Sequence, residues 1–329
     1  LTIEAGSVIT AVLTDGSDAL LVENGGKLFL NGTAALPIVF TEASKTPGSW
    51  GGIIMVGDAP IVGAKSVATA TTEDGNNLPY GGTNATHNGG TLKYVRVEYA
   101  GKKLTDNTSE MNGFSFYSVG SGTVLENLVA YKGADDGFEF YGGTVSAKNL
   151  ISYGNFDDSF DWQDGWRGDA NTNWYAYQVV TGNYGMEIEA KSINNAFGPK
   201  VSNITLTRAA GTVTEGGSSA NEFDAIQFKK EGNGEYTNVV ISGYTTSNTT
   251  LTATAVRIQD KSTNDNQVTG GKIKMLNVKI NDGTSQFAGV GTTFTVAFPT
   301  GNYTTSSTAT GATLTAGAWA IVDGVSLIK

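Results

Sequence analysis

One short pattern recurs six times along the middle of the chain, and it restricts the folds that are open to it. Each copy has a small residue at its second position and then alternates apolar with polar residues. The copies are NGFSFYS from Asn112, DGFEFYG from Asp136, DSFDWQD from Asp158, YGMEIEA from Tyr184, DAIQFKK from Asp224 and TAVRIQD from Thr254. A period of two places the apolar residues on one face of a β-strand. The predicted inward residues are Phe114, Phe116, Phe138, Phe140, Phe160, Trp162, Met186, Ile188, Ile226, Phe228, Val256 and Ile258.

A second ladder of segments follows the first and carries an asparagine in most copies. Its segments are ENLVAY from Glu126, KNLISY from Lys148, YQVVTG from Tyr177, SNITLT from Ser202, TNVVIS from Thr237 and LNVKIN from Leu276. The aligned column contains Asn127, Asn149, Asn203, Asn238 and Asn277, with Gln178 in the remaining place. Because asparagine tolerates the left-handed backbone conformation, we expect this column at a repeated bend. A repeat with conserved strands and variable loops is typical of a parallel solenoid.

Composition supports the same architecture. With 44 Gly and only 16% charged residues, the chain suits many short strands joined by tight turns. The predicted fold is all-β, a single-stranded right-handed parallel β-helix that residues 1–329 form as one domain. Residues 62–91 are rich in Thr, Asn and Gly and are predicted to be an inserted loop. Residues 283–329, where the ladder weakens, are predicted to be terminal coils or a cap over the last rung.

Longer motifs in the first half of the chain resemble a known group of proteins. GSWGGIIMVGDAPI, LKYVRVEYAG, VGSGTVLENL and ADDGFEFYGGTV followed by DDSFDW look like the right-handed parallel β-helix proteins common at the surface of Bacteroidota, which have a pectate-lyase-like superfold. The resemblance covers roughly residues 1–190. It implies the architecture and an extracellular or outer-membrane location. It implies no particular activity, because the group has no settled one.

The repeat also stacks acidic side chains in register. One outward column contains Ser115, Glu139, Asp161, Glu187, Gln227 and Arg257, and the next contains Tyr117, Tyr141, Gln163, Glu189, Lys229 and Gln259. Neighbouring rungs lie ~4.8 Å apart, so each adjacent pair of carboxylates repels by on the order of 3 kcal/mol at an effective dielectric of about 20. A bound cation, a raised carboxyl pKa, or the nearby Lys229 and Arg257 would offset this repulsion.

Calcium is the natural candidate for such a cation. The chain has no Cys and a single His, so a metal ion would be bound by oxygen ligands, which Ca²⁺ prefers. The predicted metal ligands are Asp135, Glu139, Asp157 and Asp161. The alternative is a solvated acidic face, in which Asp136, Asp158 and Asp224 cap turns by accepting hydrogen bonds from backbone N–H groups.

The leading functional hypothesis is a non-enzymatic surface or secreted protein that binds a glycan or another surface protein along its outward strand face. The predicted ligand-binding residues are Tyr117, Glu139, Tyr141, Asp161, Glu187, Lys229 and Arg257. The two tyrosines would supply aromatic surface on which sugar rings stack. Trp166 and Trp174 are predicted to lie in the loop after the second acidic turn, and His87 is expected to be a solvated loop residue.

Two alternatives stay open. A polysaccharide lyase or glycoside hydrolase would use the stacked carboxylates with Arg257 and Lys229, since glycosidases work with two carboxylates ~5 to 9.5 Å apart. The paired aspartates and VRIQ from Val256 faintly resemble polygalacturonase motifs, but the Gly-His-Gly of that family is missing and Gln259 stands at its lysine position. No catalytic residue is therefore assigned. The other alternative is a structural spacer or adhesin stalk.

The sequence argues against a nucleic-acid partner and against a membrane-spanning helix. The net charge of −10 argues against a nucleic-acid partner, because binding to phosphates needs a basic face. No apolar run approaches the ~20 residues that a membrane-spanning helix requires.

Overall fold

The computed structural model of the chain describes residues 1–12, 18–62, 68–104, 110–192, 194–217, 221–247, 251–290 and 294–329. In this part of the chain, two large sheets of parallel strands alternate along the sequence, so that the backbone winds as a parallel β-helix. Strands are numbered along the chain. Sheet B contains Leu20–Val22 (β3), Ile53–Val56 (β6), Phe114–Tyr117 (β10), Phe138–Tyr141 (β12), Phe160–Gln163 (β14), Met186–Ile188 (β16), Ile226–Phe228 (β18), Thr254–Ile258 (β20) and Ser285–Gly289 (β22).

Sheet A supplies the other walls of each coil. Its strands are Thr2–Ile3 (β1), Val8–Ala11 (β2), Leu28–Asn31 (β4), Ile38–Glu42 (β5), Gly90–Glu98 (β9), Val124–Tyr131 (β11), Ala147–Tyr153 (β13), Asn171–Gln178 (β15), Lys200–Arg208 (β17), Gly234–Ser242 (β19), Ile273–Ile280 (β21) and Tyr303–Thr305 (β23). Two antiparallel pairs lie outside the coils: Ala70–Thr71 (β7) with Pro79–Tyr80 (β8), and Ile321–Val322 (β24) with Val325–Ser326 (β25). The described helical turns are short, at Lys261–Thr263, Asn264–Val268 and Ala318–Ala320.

The core fills the space between the two sheets. All of the twelve residues that the alternation predicts to point inward are buried, with at most 1% of their surface exposed. Equivalent aromatic rings stack from rung to rung, as Phe114 and Phe138 do at 5.0 Å between centroids. Such stacking lets each coil bury its apolar face against its neighbours.

Trp166 and Trp174 both belong to this core. Trp166 lies in the predicted loop between β14 and β15, but the prediction that Trp174 lies there is wrong. Trp174 lies within β15 and is fully buried, and Trp166 stacks against Phe140 with 4.5 Å between ring centroids. The indole N–H of Trp166 donates to the Val145 carbonyl at 3.0 Å. Burial of the two large rings removes more apolar surface from water than exposed positions would.

The asparagine column forms the predicted bend, with one correction. Each long strand of sheet A from β11 to β21 contains an asparagine at φ between 56° and 59°, in the left-handed region. Asn173 fills the place assigned to Gln178, because the register pairs Leu150 with Trp174. The column is Asn127, Asn149, Asn173, Asn203, Asn238 and Asn277. Neighbouring amides are bonded directly at three steps, for example from Asn149 Nδ2 to Asn127 Oδ1 at 2.9 Å.

The predicted inserted loop and the carboxyl-terminal segment differ in structure from the regular coils. Within the 62–91 segment, the antiparallel pair β7 and β8 folds over the outside of sheet B. At the carboxyl end, β22 and β23 add to the two sheets, and the chain after Thr305 then runs back along the outer side of sheet A. The backbone N–H of Ala312 donates to the Thr205 hydroxyl, and that of Trp319 to the Ala34 carbonyl. This return segment therefore spans many rungs along the side of the helix.

No helix in the described ranges has both the length and the apolar character to span a membrane.

Candidate functional site

A groove on the outward side of sheet B concentrates much of the acid in the chain. It encloses about 240 Å³ and is called the acidic groove below. Its carboxylates are Glu73, Glu110, Asp135, Asp136, Glu139, Asp157, Asp158, Asp161, Glu187, Glu189 and Glu222, and its lysines are Lys191, Lys229 and Lys230. Since eleven carboxylates face three ammonium groups, the groove is strongly negative when its acids are ionised.

Strand register places the central acids of the groove. Glu139 in β12 pairs with Asp161 in β14, which pairs with Glu187 in β16, as the repeat predicts. The side chains alternate with Phe138, Phe140 and their equivalents, so they point away from the core. Three carboxylates consequently follow one another at the ~4.8 Å spacing of parallel rungs.

A second row of acids lies at the turn before each strand, and it caps the next rung. Asp136 Oδ1 accepts a hydrogen bond from the Asp158 backbone N–H at 2.8 Å, and Asp158 Oδ1 accepts one from Tyr184 at 2.6 Å. Asp224 does the same for Thr254 at 2.6 Å. The predicted turn-capping by Asp136, Asp158 and Asp224 is therefore confirmed. In the first two, one oxygen is engaged by the backbone while the side chain also lines the groove.

Acids of the two rows, together with Asp135 and Asp157, form three carboxylate clusters in which one oxygen from each of three residues lies within 4.8 Å of the others. Cluster 1 contains Asp135, Asp136 and Asp157; cluster 2 contains Asp136, Glu139 and Asp161; cluster 3 contains Asp158, Asp161 and Glu187. All four predicted metal ligands, Asp135, Glu139, Asp157 and Asp161, belong to these clusters. They fall into clusters 1 and 2, and Asp136 connects the two sets.

Clusters 1 and 2 contain buried oxygens that no group within the described ranges of the chain satisfies. Asp135 is 2% exposed, and its Oδ2 has no hydrogen-bond partner. Asp161 Oδ1 in cluster 2 also has none. Beside it, Gln163 donates from Nε2 to Glu139 at 2.9 Å, which leaves the buried Gln163 Oε1 without a partner. Because a buried unpaired acceptor is costly, these oxygens call for a partner from outside the described residues, such as a water molecule or a cation.

Burial and mutual repulsion perturb the acids of the clusters. Burial, and next the charge of Glu73, raises the pKa of Glu139 to about 8. Burial, and next the charge of Glu215, raises the pKa of Asp157 to about 7. The pKa values of Asp135, Asp136 and Asp161 rise well above their usual range for the same reasons. A cation in the groove would favour the ionised forms and reverse these shifts.

Cluster 3 has a cation of its own. The Lys229 ammonium group contacts a Glu187 oxygen, and its Nζ lies 3.5 Å from Glu189 Oε2. Lys230 Nζ lies 2.8 Å from the same Glu189 oxygen. Lys229 therefore lines the groove and offsets part of the negative charge at the end that cluster 3 occupies.

Tyr117 and Tyr141 point outward but do not form an exposed platform, and that prediction is wrong. Tyr80 of β8 covers them, with its ring centroid 5.1 Å from Tyr117 and 6.2 Å from Tyr141. Both rings are at most 1% exposed, and their mutual stacking at 3.9 Å uses the faces that a sugar would need. The inserted pair β7–β8 lies over these rings and buries their apolar surface. The Tyr141 hydroxyl still donates to Glu139, so it orients one acid of the groove.

Arg257 lies in the predicted column but is not available to a ligand, so its assignment as a binding residue is wrong. It pairs with Gln227 in register, yet its guanidinium bonds both oxygens of Asp224, at 2.8 and 3.0 Å. Both side chains are buried and neither lines the groove. His87 is also buried, at 6% exposed, so the expectation of a solvated loop residue is wrong.

Several residues that line the groove were not predicted from the sequence. Glu73, Glu110 and Glu222 come from loops that carry no repeat, so no periodicity could assign them to sheet B. Asn112, by contrast, opens the first copy of the repeat, and its Nδ2 donates to Glu139 at 2.6 Å. Gln163 stands in the second outward column. These two amides could have been found from the same alignment that found the acids.

Comparison with known proteins gives one match. A family model described as a pectate-lyase-like β-helix domain matches residues 1–322. The match extends over the coils that form the acidic groove and over both ends of the helix. Searches of curated proteins and of solved structures found no significant match.

Proposed function

The chain belongs to the pectate-lyase-like β-helix domain family. We propose that it is a secreted or cell-surface binding protein. In this proposal the acidic groove binds Ca²⁺, and the bound Ca²⁺ in turn recruits a glycan. The binding function is assigned from the groove, because the family fold by itself specifies no function.

The observation that carries the proposal is the set of buried, unpartnered oxygens in the groove. Asp135 Oδ2 and Asp161 Oδ1 lie in clusters whose oxygens are within 4.8 Å of one another. Ca²⁺ takes six to eight oxygen ligands at ~2.3 to 2.6 Å in flexible geometry. Carboxylates from several rungs, together with the Gln163 amide oxygen, match that preference in ligand type.

The proposed location sets the expected affinity. Calcium sites of extracellular modules have dissociation constants of ~10⁻⁴ to 10⁻³ M. A groove assembled from strand residues and turns would need no higher affinity to be occupied at a cell surface. The extracellular setting rests on the resemblance of the repeat motifs, and fractionation of the source cells with antibodies against the chain tests it.

A glycan is the ligand class that suits a calcium-loaded groove. Sugar hydroxyl or carboxylate oxygens can complete the coordination of an ion that protein oxygens only partly enclose. Groove amides and acids on the rim can accept or donate further hydrogen bonds to hydroxyl groups. Without a cation, the excess of carboxylates would repel an acidic glycan, so binding of acidic sugars should depend on calcium.

The test combines calorimetry with a glycan screen. Titration of Ca²⁺ into protein stripped with chelator should give saturable binding, and Asp161→Asn should weaken it by tenfold or more. Glu235→Gln is the matched control, since Glu235 pairs with Lys274 outside the groove. A glycan array probed with calcium and again with EDTA should show calcium-dependent signals. Absence of calcium binding by the wild-type protein would refute the proposal, and glycan binding that EDTA leaves unchanged would refute the bridging part.

Glycoside hydrolysis is a second candidate, and one geometric observation favours it. Oxygens of Glu139 and Asp161 lie within 4.8 Å of each other on adjacent rungs, and retaining glycosidases have carboxyl groups about 5 to 5.5 Å apart. Incubation with the glycans that bind should release new reducing ends if this pair is catalytic. Loss of that release in Glu139→Gln, with glycan binding retained, would establish the reaction, and no release by the wild-type protein would eliminate it.

A further inference from the structure

The three carboxylate clusters are not independent, and their connections suggest how many ions the groove holds. Cluster 1 and cluster 2 share Asp136, and cluster 2 and cluster 3 share Asp161. Together the clusters contain seven different carboxylates. One lysine, Lys229, contacts a cluster carboxylate in the described part of the chain. Fully ionised, this set has an excess of six negative charges, of which a single Ca²⁺ would neutralise two.

We propose that the acidic groove holds a pair of adjacent divalent cations, one in cluster 1 and one in cluster 2, with Asp136 as the bridging carboxylate. The inference rests on the proposed calcium binding and deepens it. A carboxylate can bridge because each of its oxygens has two lone pairs. Asp136 Oδ1 accepts only one hydrogen bond in the structure, from the Asp158 backbone N–H.

Each of the two ion positions has its own unsatisfied oxygen. Asp135 belongs to cluster 1 alone, its side chain is 2% exposed, and the described residues supply no hydrogen-bond partner for its Oδ2. Gln163 Oε1 and Asp161 Oδ1 lie at the cluster 2 end of the groove. No cluster of the described residues contains both Asp135 and Asp161, so a single ion at one end of the groove would leave the unsatisfied oxygen at the other end without a partner. Two ions satisfy both sets and neutralise four charges.

Lys229 explains why the series stops at two ions. Its ammonium group contacts Glu187 and lies 3.5 Å from Glu189 Oε2, so cluster 3 already has a tethered cation. The positive charge of Lys229 also acts on Asp161, the acid that clusters 2 and 3 share. A third divalent ion would have to displace this lysine. The lysine therefore closes the metal site at the Glu187 end of the groove.

The measurement is ion stoichiometry by native mass spectrometry, combined with calorimetric titration of Ca²⁺. The wild-type chain should bind two ions. Asp135→Asn should keep only the cluster 2 ion and Glu139→Gln only the cluster 1 ion, because these residues each belong to a single cluster. Asp136→Asn should weaken both ions by at least tenfold. Lys229→Met should raise the stoichiometry to three.

Adjacency of the ions is tested separately with Mn²⁺ in place of Ca²⁺. Two Mn²⁺ ions bridged by one carboxylate should give an exchange-coupled electron paramagnetic resonance spectrum, and Glu139→Gln should return the spectrum of an isolated ion. The Glu235→Gln control should bind two ions and show the coupled spectrum. Thermal unfolding of each variant verifies that it is folded before its stoichiometry is read.

The possible outcomes separate the two proposals. A wild-type stoichiometry of zero overturns calcium binding and the ion pair together. A stoichiometry of one overturns the pair and leaves the proposed function standing. Two ions without exchange coupling overturn the Asp136 bridge. A stoichiometry of two in a folded Lys229→Met variant overturns the assignment of Lys229 as the group that closes the site.

Discussion

The crowded carboxyls of the acidic groove predict an unusual response to pH when no divalent cation is present. The perturbation is a rise from about pH 5.5 to about pH 8 in the presence of EDTA. A carboxyl whose folded-state pKa is raised binds protons more tightly in the folded than in the unfolded chain. It stabilises the fold fully below its unfolded pKa, and this contribution is lost as the pH rises through its folded pKa. The metal-free protein should therefore be less stable at the higher pH.

The magnitude follows from Glu139. Its pKa of about 8 in the folded chain, against 4.5 without perturbation, corresponds to a loss on the order of 3 kcal/mol between the two pH values. With an unfolding entropy of ~2.1 cal/mol/K per residue over 329 residues, such a loss lowers the melting temperature by about 4 °C. Asp157, with a pKa of about 7, acts in the same direction. Neighbouring acids titrate as a coupled set, so their effects do not simply add.

The assay is differential scanning calorimetry of wild-type protein, Glu139→Gln and Glu235→Gln at both pH values. Comparison of variants cancels the pH response of the rest of the chain. In EDTA, wild type and Glu235→Gln should lose stability together, whereas Glu139→Gln should lose several degrees less because glutamine does not titrate. Saturating Ca²⁺ should restore the melting temperature at about pH 8 and have little effect at about pH 5.5, where protons compete for the ligands. Equal pH responses of Glu139→Gln and wild type would refute the reasoning.

Three further predictions concern the framework around the site, and urea unfolding measures each of them. Asn149→Ala loses the side-chain hydrogen bonds to Asn127 and Asn173 and places alanine at φ 59°. It should therefore lower the unfolding free energy by about 1 to 3 kcal/mol. Asn149→Gly should lower the unfolding free energy less, since glycine adopts this φ freely. Trp174→Ala empties a core position and should cost about 3 to 5 kcal/mol, with the calcium stoichiometry unchanged. Asp224→Asn breaks the buried ion pair with Arg257 and should lower the unfolding free energy by about 3 to 5 kcal/mol. Calcium binding should stay intact, because neither residue lines the groove. A parallel loss of calcium affinity would contradict the separation of this pair from the site.

The strands of sheet B could be predicted residue by residue because alternation and stacking act together. A one-residue slip would turn every phenylalanine of a rung to the outside, so the sequence leaves a single register. The same logic placed Glu139, Asp161 and Glu187 side by side. In sheet A the predicted asparagine column is wrong at one rung, where Asn173 and not Gln178 occupies the bend. Only the requirement for a left-handed residue at the bend distinguishes those two positions, and glutamine does not share the tolerance of asparagine for that conformation.

The errors at the site share a physical cause, which is that side-chain direction does not determine exposure. Alternation places Tyr117 and Tyr141 outside the core, but whether they meet water depends on where the inserted pair β7–β8 folds. That loop has no repeat, and its position depends on contacts such as the stacking of Tyr80 on Tyr117. Arg257 is a similar case, because its long side chain reaches Asp224 instead of the groove. Such choices are made by tertiary contacts that the local pattern does not encode.

The contrast between buried acids inside and outside the groove argues that the groove is built for a ligand. Asp224 is neutralised by Arg257, and Glu98 by Arg96 at 2.6 Å. Other buried acids outside the groove are held by hydrogen bonds, as Glu231 is by Ser262, Asn266 and Gln267. In the groove, Asp135 and Asp161 retain oxygens for which the described residues supply no partner. Retaining crowded, unsatisfied carboxyl groups at the expense of folding free energy is characteristic of binding sites, where the missing partner arrives from solution.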